Sequence, residues 1–167
     1  DSLEKFFKKM PPDNGLAFVV VQHLSPDYKS MMVELLSKHT RMKVQHAVDD
    51  SLIKPDTVYL IPPKRQLTIE KGKLFLVEQA IVSGINLPID IFFRSLARDQ
   101  ESQAIAVILS GTGTDGTLGG RVVKEVGGYL LVQTPESAQF DGMPKSAIQT
   151  GIADSILTPE NMPQEIL

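Results

Sequence analysis

Residues 104–116 read AIAVILSGTGTDG, and this stretch decides the fold. Ala104 to Leu109 is a short apolar run rich in β-branched residues. It breaks into Ser110-Gly111-Thr112-Gly113-Thr114-Asp115-Gly116, and a helical pattern, TLGGRVVKEVGG, follows. A buried strand that runs through a glycine-rich loop into a helix gathers backbone N–H groups and the positive end of the helix at one point. In an open α/β sheet that point lies outside the carboxyl ends of the strands, where ligands and chemistry collect.

Working outward, Leu16 to Val21 (LAFVVV) is a second continuous apolar run, the texture of a parallel strand buried on both faces. It ends in the polar loop Gln22-His23-Leu24-Ser25-Pro26. Before it, Leu3, Phe6, Phe7 and Met10 share one face of a helix stopped by Pro11-Pro12. After it, Asp27 caps a helix that carries Met31, Met32, Leu35 and Leu36 at helical spacing. From Met42 to Glu78 the chain becomes short alternating pieces, with Lys71-Gly72 as a turn, which predicts an antiparallel hairpin between about residues 57 and 78. Residues 79–87 form a loop around Gly84, and Pro88 opens a helix. The helix after Gly116 stops at Gly127-Gly128. Tyr129 to Val132 is a strand and residues 134–144 a long loop with a short helical piece. Ser146 to Thr150 is a helical turn, Ser155 to Leu157 a short strand, and Thr158-Pro159 starts a last helix. The alternation predicts one α/β domain over residues 1–167 with a mostly parallel sheet and an antiparallel hairpin.

Composition narrows the function. Seventeen basic against 20 acidic residues, with no basic cluster, leave no electrostatic footprint for nucleic acid. The absence of cysteine excludes disulfides and thiolate metal sites and fits a reducing compartment. No apolar run approaches the roughly 18 residues of a membrane span and no signal peptide opens the chain, so a cytoplasmic location is expected.

Gly111-x-Gly113-x-x-Gly116 is a literal G-x-G-x-x-G, and Glu136 stands 20 residues further on, which is the dinucleotide-binding pattern on paper. Asp115 argues against it, because a carboxylate at the helix end meant for a pyrophosphate would repel it. Of the three histidines, His39 sits at a helix end and His46 in an alternating strand, while His23 ends an apolar strand at the carboxyl end of the sheet. His23 could simply finish its strand with a hydrogen bond, and Asp115 could simply cap its helix. Brought to one sheet edge, the two would be the supporting half of a serine-type triad, the aspartate fixing the histidine's tautomer. No serine completes it convincingly. Ser25 precedes Pro26, Ser110 precedes the glycine loop, Ser2 starts a helix, and no G-x-S-x-G occurs. Nor is there an H-E-x-x-H or similar metal-binding spacing, so no cofactor is expected.

Five motifs, in order along essentially the whole chain, resemble one family. They are Gln22-His23 after an apolar strand, Ile61-Pro62-Pro63, LPIDIFFRSLA at 87–97, ILSGTGTDG at 108–116 and FDGMPKSAI at 140–148. The resemblance is to the catalytic domain of the chemotaxis protein-glutamate methylesterases, especially versions fused to the matching methyltransferase. It implies a three-layer α/β domain with a Ser-His-Asp triad that removes methyl esters from chemoreceptor glutamates and can deamidate glutamines. Carried over motif by motif, it places the catalytic histidine on His23 and the aspartate on Asp115. It puts the oxyanion-holding backbone N–H on Thr112 and a substrate-bordering loop at Met143. The family's nucleophilic serine stands in a G-A-S-x-G-G turn before the first helix; no such turn occurs in residues 1–167. It would precede residue 1, together with the first strand, and without it the chain would be inactive. The partners implied are chemoreceptor cytoplasmic helices, a methyltransferase and a receiver domain. The competing expectation is a noncatalytic binding module that has lost the nucleophile.

Overall fold

The computed structural model describes residues 1–23, 31–78 and 87–167. Nine strands are described: β1 Ala17–Val20, β2 Lys43–His46, β3 Ser51–Leu52, β4 Thr57–Leu60, β5 Arg65–Glu70, β6 Lys73–Glu78, β7 Ile105–Ile108, β8 Tyr129–Gln133 and β9 Ser155–Leu157. Six α-helices accompany them: α1 Ser2–Lys9, α2 Met32–Ser37, α3 Pro88–Gln100, α4 Thr117–Glu125, α5 Gly142–Gln149 and α6 Met162–Ile166.

The parallel strands fall into two groups, ordered β1-β4-β2 and β7-β8-β9. In the first, Val19 and Gln45 flank Tyr59; in the second, Val107 pairs with Leu131, and Val132 with Ile156. The central strand of each is buried on both faces, and its side chains alternate between two cores. Tyr59, Leu130 and Val132 join Phe92, Phe93, Leu67 and Leu74 beneath α3 and the hairpin. Val58, Leu60 and Leu131 join Phe6, Phe7, Leu36 and Met162 beneath α1, α2 and α6. Strands thus form the middle of three layers, with helices on both faces. Edge-to-face contacts among Phe6, Phe7 and Phe18 fasten α1 to β1.

The hairpin is shorter than its predicted 57–78. β4 belongs to the parallel sheet, because all four of its residues are buried between two neighbouring strands. The antiparallel unit is β5 against β6, extended by the two-residue β3, which no pattern announced. Helix α5 starts at Gly142 instead of Ser146; Pro144 lies in its first turn, where a missing N–H leaves no helical bond broken. The capping role of Asp27 and the loop around Gly84 lie outside the described residues. Pro88 opens α3 as its position predicts.

Candidate active site

β1 and β7 end on the same side of the strand layer. His23 follows β1, the glycine-rich loop follows β7, and the two meet. His23 Nε2 lies 2.6 Å from Asp115 Oδ2. The Asp115 side chain is wholly shielded from solvent, whereas the His23 side chain is 42% exposed. One partner is anchored and the other faces outward.

The anchor comes from an unexpected direction. Asp115 does not sit on the end of its own helix, α4. Its carboxylate receives the first amides of α3, with Ile89 N–H donating to Oδ2 at 2.9 Å and Asp90 N–H to Oδ1 at 2.8 Å. These N–H groups lie in the first turn of α3, where no helical carbonyl is available to them, and the dipole of that helix favours a negative charge there. A carboxylate accepting two backbone N–H groups can only accept from the imidazole as well, so Nε2 carries the proton of the 2.6 Å bond. Nδ1 is the nitrogen left to receive one.

α4 is capped in turn by Asp90. Its Oδ1 accepts Gly116 N–H at 3.0 Å and Gly119 N–H at 2.7 Å. Burial pushes the Asp90 carboxyl above its ordinary range, and the Asp115 charge adds to that push. The amides of Gly119 and Gly116 pull the other way. Two glycines make the arrangement possible. Gly116 has φ +97°, and a Cβ on it would press on Ile108 and Ile89 at 3.3 Å. A Cβ on Gly119 would fall 2.7 Å from Phe93 Cβ and 3.0 Å from Asp90 Cα. The last glycine of the G-x-G-x-x-G, Gly116, therefore serves close packing of the α4 start against β7 and α3, together with Gly119 beyond the pattern. The α4 amides that a pyrophosphate would need already hold a carboxylate, which overturns the dinucleotide reading.

The rest of the loop is fixed through its own backbone. Ser110 N–H donates to Gln133 Oε1 at 2.9 Å, and Gly111 N–H to Phe140 O at 2.9 Å. Ser110 Oγ is engaged by both backbone groups of Phe140, which removes it as a free nucleophile. Ser2 begins α1, which packs in the core on the face of the strands opposite α3, and Ser25 lies outside the described residues. Among the described residues no acceptor takes the N–H of exposed Thr112. Met143 is 6% exposed and lies under the loop. Its N–H donates to Gly111 O at 2.9 Å, and its sulfur is so close that a Cβ on Gly111 would come within 2.7 Å of it.

Of the sequence candidates, the structure brings His23 and Asp115 together; Thr112 stands in the loop beside them, and Met143, in the first turn of α5, packs beneath that loop. His46 ends β2 on the surface, and His39 lies 3.6 Å from Glu4. Among the described residues no group of three or more His, Asp or Glu side chains converges as a metal site requires. Two participants were not singled out from sequence. Gln133, fully buried, ends an apolar strand just as Gln22 does, and a polar residue closing a buried strand is a readable signal. Asp90 stands in the first turn of α3, a place where an acid by itself carries no signal of function.

An α/β domain whose strand ends present a histidine hydrogen-bonded to a buried, amide-held aspartate has the general-base half of a hydrolase. Comparison with known proteins specifies it. The model of the CheB methylesterase family matches residues 1–166, and the chain belongs to that family. A curated Thermotoga maritima relative, named protein-glutamate methylesterase/protein-glutamine glutaminase, is 31% identical over 170 residues, covering 99% of this chain and 49% of its own. The equivalent of the group 3 operon of Rhizobium meliloti is 32% identical over 99% of this chain and 47% of its own. An uncharacterized 104.1 kDa protein of Rhodobacter capsulatus is 46% identical over 133 residues, 78% of this chain and 14% of its own. The crystal structure of the Thermotoga maritima CheB methylesterase catalytic domain superposes with a TM-score of 0.89 at 31% identity. It covers 99% of this chain and 89% of that one. The chain spans about half the length of the two methylesterases named here.

Proposed function

We propose that the protein carrying this chain is a protein-glutamate methylesterase, able also to hydrolyse protein glutamine amides. Its substrates are the methylated glutamates of chemoreceptor helices on the cytoplasmic side. The observation that carries this reading is the 2.6 Å bond from exposed His23 to an Asp115 held by two buried amides.

His23 Nδ1 takes the proton of a nucleophilic serine as its oxygen attacks the ester carbonyl. That serine is proposed to belong to the G-A-S-x-G-G turn that the resemblance implies, outside residues 1–167. Asp115 holds the imidazole in place and stabilises the imidazolium that forms. The tetrahedral oxyanion is held by the Thr112 N–H, which has no acceptor of its own among the described residues. Collapse breaks the ester C–O bond, and methanol leaves with the proton from His23. The same histidine then takes a proton from water, which attacks the acyl-serine and frees the glutamate. Substrate meets the outer side of the loop, and Met143 contributes by holding Gly111 from beneath. A methyltransferase and a receiver domain, on the same chain or as partners, are the proposed companions.

Methanol release decides it. Full-length protein mixed with a receptor fragment carrying glutamyl methyl esters is expected to release methanol and leave free glutamate. A protein that binds the fragment without releasing methanol would instead establish the noncatalytic module.

A further inference from the structure

Among the described residues, Asp90 and Asp115 are the two buried carboxylates, 4% and 1% exposed. The mechanism above uses only one of them. A first-turn acid normally satisfies free amides of its own helix. These two are crossed: Asp115 holds the first turn of α3, and Asp90, from that same turn, holds the first turn of α4. The crossing has a local consequence. Gly116 N–H belongs to the peptide unit shared with Asp115, so the bond from Gly116 to Asp90 Oδ1 fixes the plane from which the Asp115 side chain departs. The second bond, to Gly119, fixes the direction of α4 behind it.

We propose that Asp90 is a positioning residue for the hydrolytic pair: by holding the Gly116 and Gly119 N–H groups it sets where Asp115 stands, and through Asp115 the orientation of His23. The proposal rests on the methylesterase reading, but its geometry is measurable without turnover. What Asp90 supplies is an acceptor at a fixed point. An asparagine side chain supplies the same oxygen without the charge, and an alanine leaves two buried N–H groups unpaired.

The readout is the hydrogen-bonded imidazole N–H proton of His23, observed by NMR at low temperature in protein with 15N-labelled histidine and identified by its loss in His23→Ala. Asp90→Ala is expected to lose this resonance while far-UV circular dichroism shows a folded protein. In full-length enzyme its kcat is expected to fall about 100-fold with KM little changed, the scale of a misplaced catalytic group. Asp90→Asn is expected to rescue the resonance and most of kcat. Should the alanine variant not fold, Asp90→Ser takes its place, since its shorter side chain cannot reach both amides, and the same loss is expected. An unaltered resonance in Asp90→Ala or Asp90→Ser, or its loss in Asp90→Asn, would overturn the proposal. Absence of methanol release from the unmutated protein would count against the methylesterase reading alone, and the resonance would still decide Asp90.

Discussion

The molecule contains two histidine–carboxylate pairs among its described residues, and they differ in every respect that matters for chemistry. His39 and Glu4 approach to 3.6 Å, with side chains 31% and 27% exposed. Both are partly exposed, and water competes for each. His23 and Asp115 approach to 2.6 Å, and the carboxylate is fully enclosed and held by two backbone amides before the histidine arrives. The first pair is a surface contact of the kind that contributes little. In the second, only the imidazole faces solvent, with one nitrogen committed and the other available. Preorganisation of the carboxylate is the difference.

That contrast can be broken at several points. The largest effect is expected from His23→Ala in the full-length enzyme, where kcat for methanol release should fall on the order of 10⁶-fold, as loss of the base does in serine hydrolases. Asp115→Asn comes next, at about 10⁴-fold. It also sets an amide NH2 against one of the α3 N–H groups, so thermal unfolding should move to lower temperature as well.

A smaller effect concerns stability and pH. Asp154 accepts Lys124 Nζ at 2.7 Å on both oxygens and Leu130 N–H at 2.8 Å. Burial raises its pKa, but the bond from Lys124, the Leu130 amide and the Lys124 charge together bring it below its ordinary 3.8. Because the folded value is depressed, the stabilisation is fully present above the unfolded value and disappears as pH falls through the folded one. Asp154→Asn should cost about 1 kcal/mol in urea unfolding at neutral pH and nothing at strongly acid pH. Asp90 has the opposite sign, since its folded pKa is raised. Its charge is a penalty that appears as pH rises through the folded value and is relieved below the unfolded one. The stability difference between Asp90→Asn and the unmutated protein should therefore shift in favour of asparagine with rising pH. The smallest effect belongs to the other histidine. His39→Ala should leave methanol release unchanged and stability within about 0.5 kcal/mol.

The two buried strands at 16–21 and 104–109 and the helix opening at Pro88 are legible because apolar runs and proline act locally. β4 reads in sequence as part of the hairpin because its neighbours β1 and β2 lie up to 40 residues away, and only that pairing makes it a central parallel strand. His23 and Asp115 could be nominated singly from their places after strands. Their meeting, across 92 residues, is a property of the folded layer. Asp90 stayed hidden for a related reason. In sequence it is a helix-start acid, and its exchange of amides with Asp115 exists only once α3 and α4 pack at the distance that Gly119 permits.

The central claim is that His23 and Asp115 act as one unit in hydrolysis, and a double-mutant cycle on methanol release tests it most directly. If Asp115 works through His23, adding Asp115→Asn to His23→Ala should reduce kcat no further than His23→Ala alone. If the two losses multiply, the residues act independently and the account is wrong.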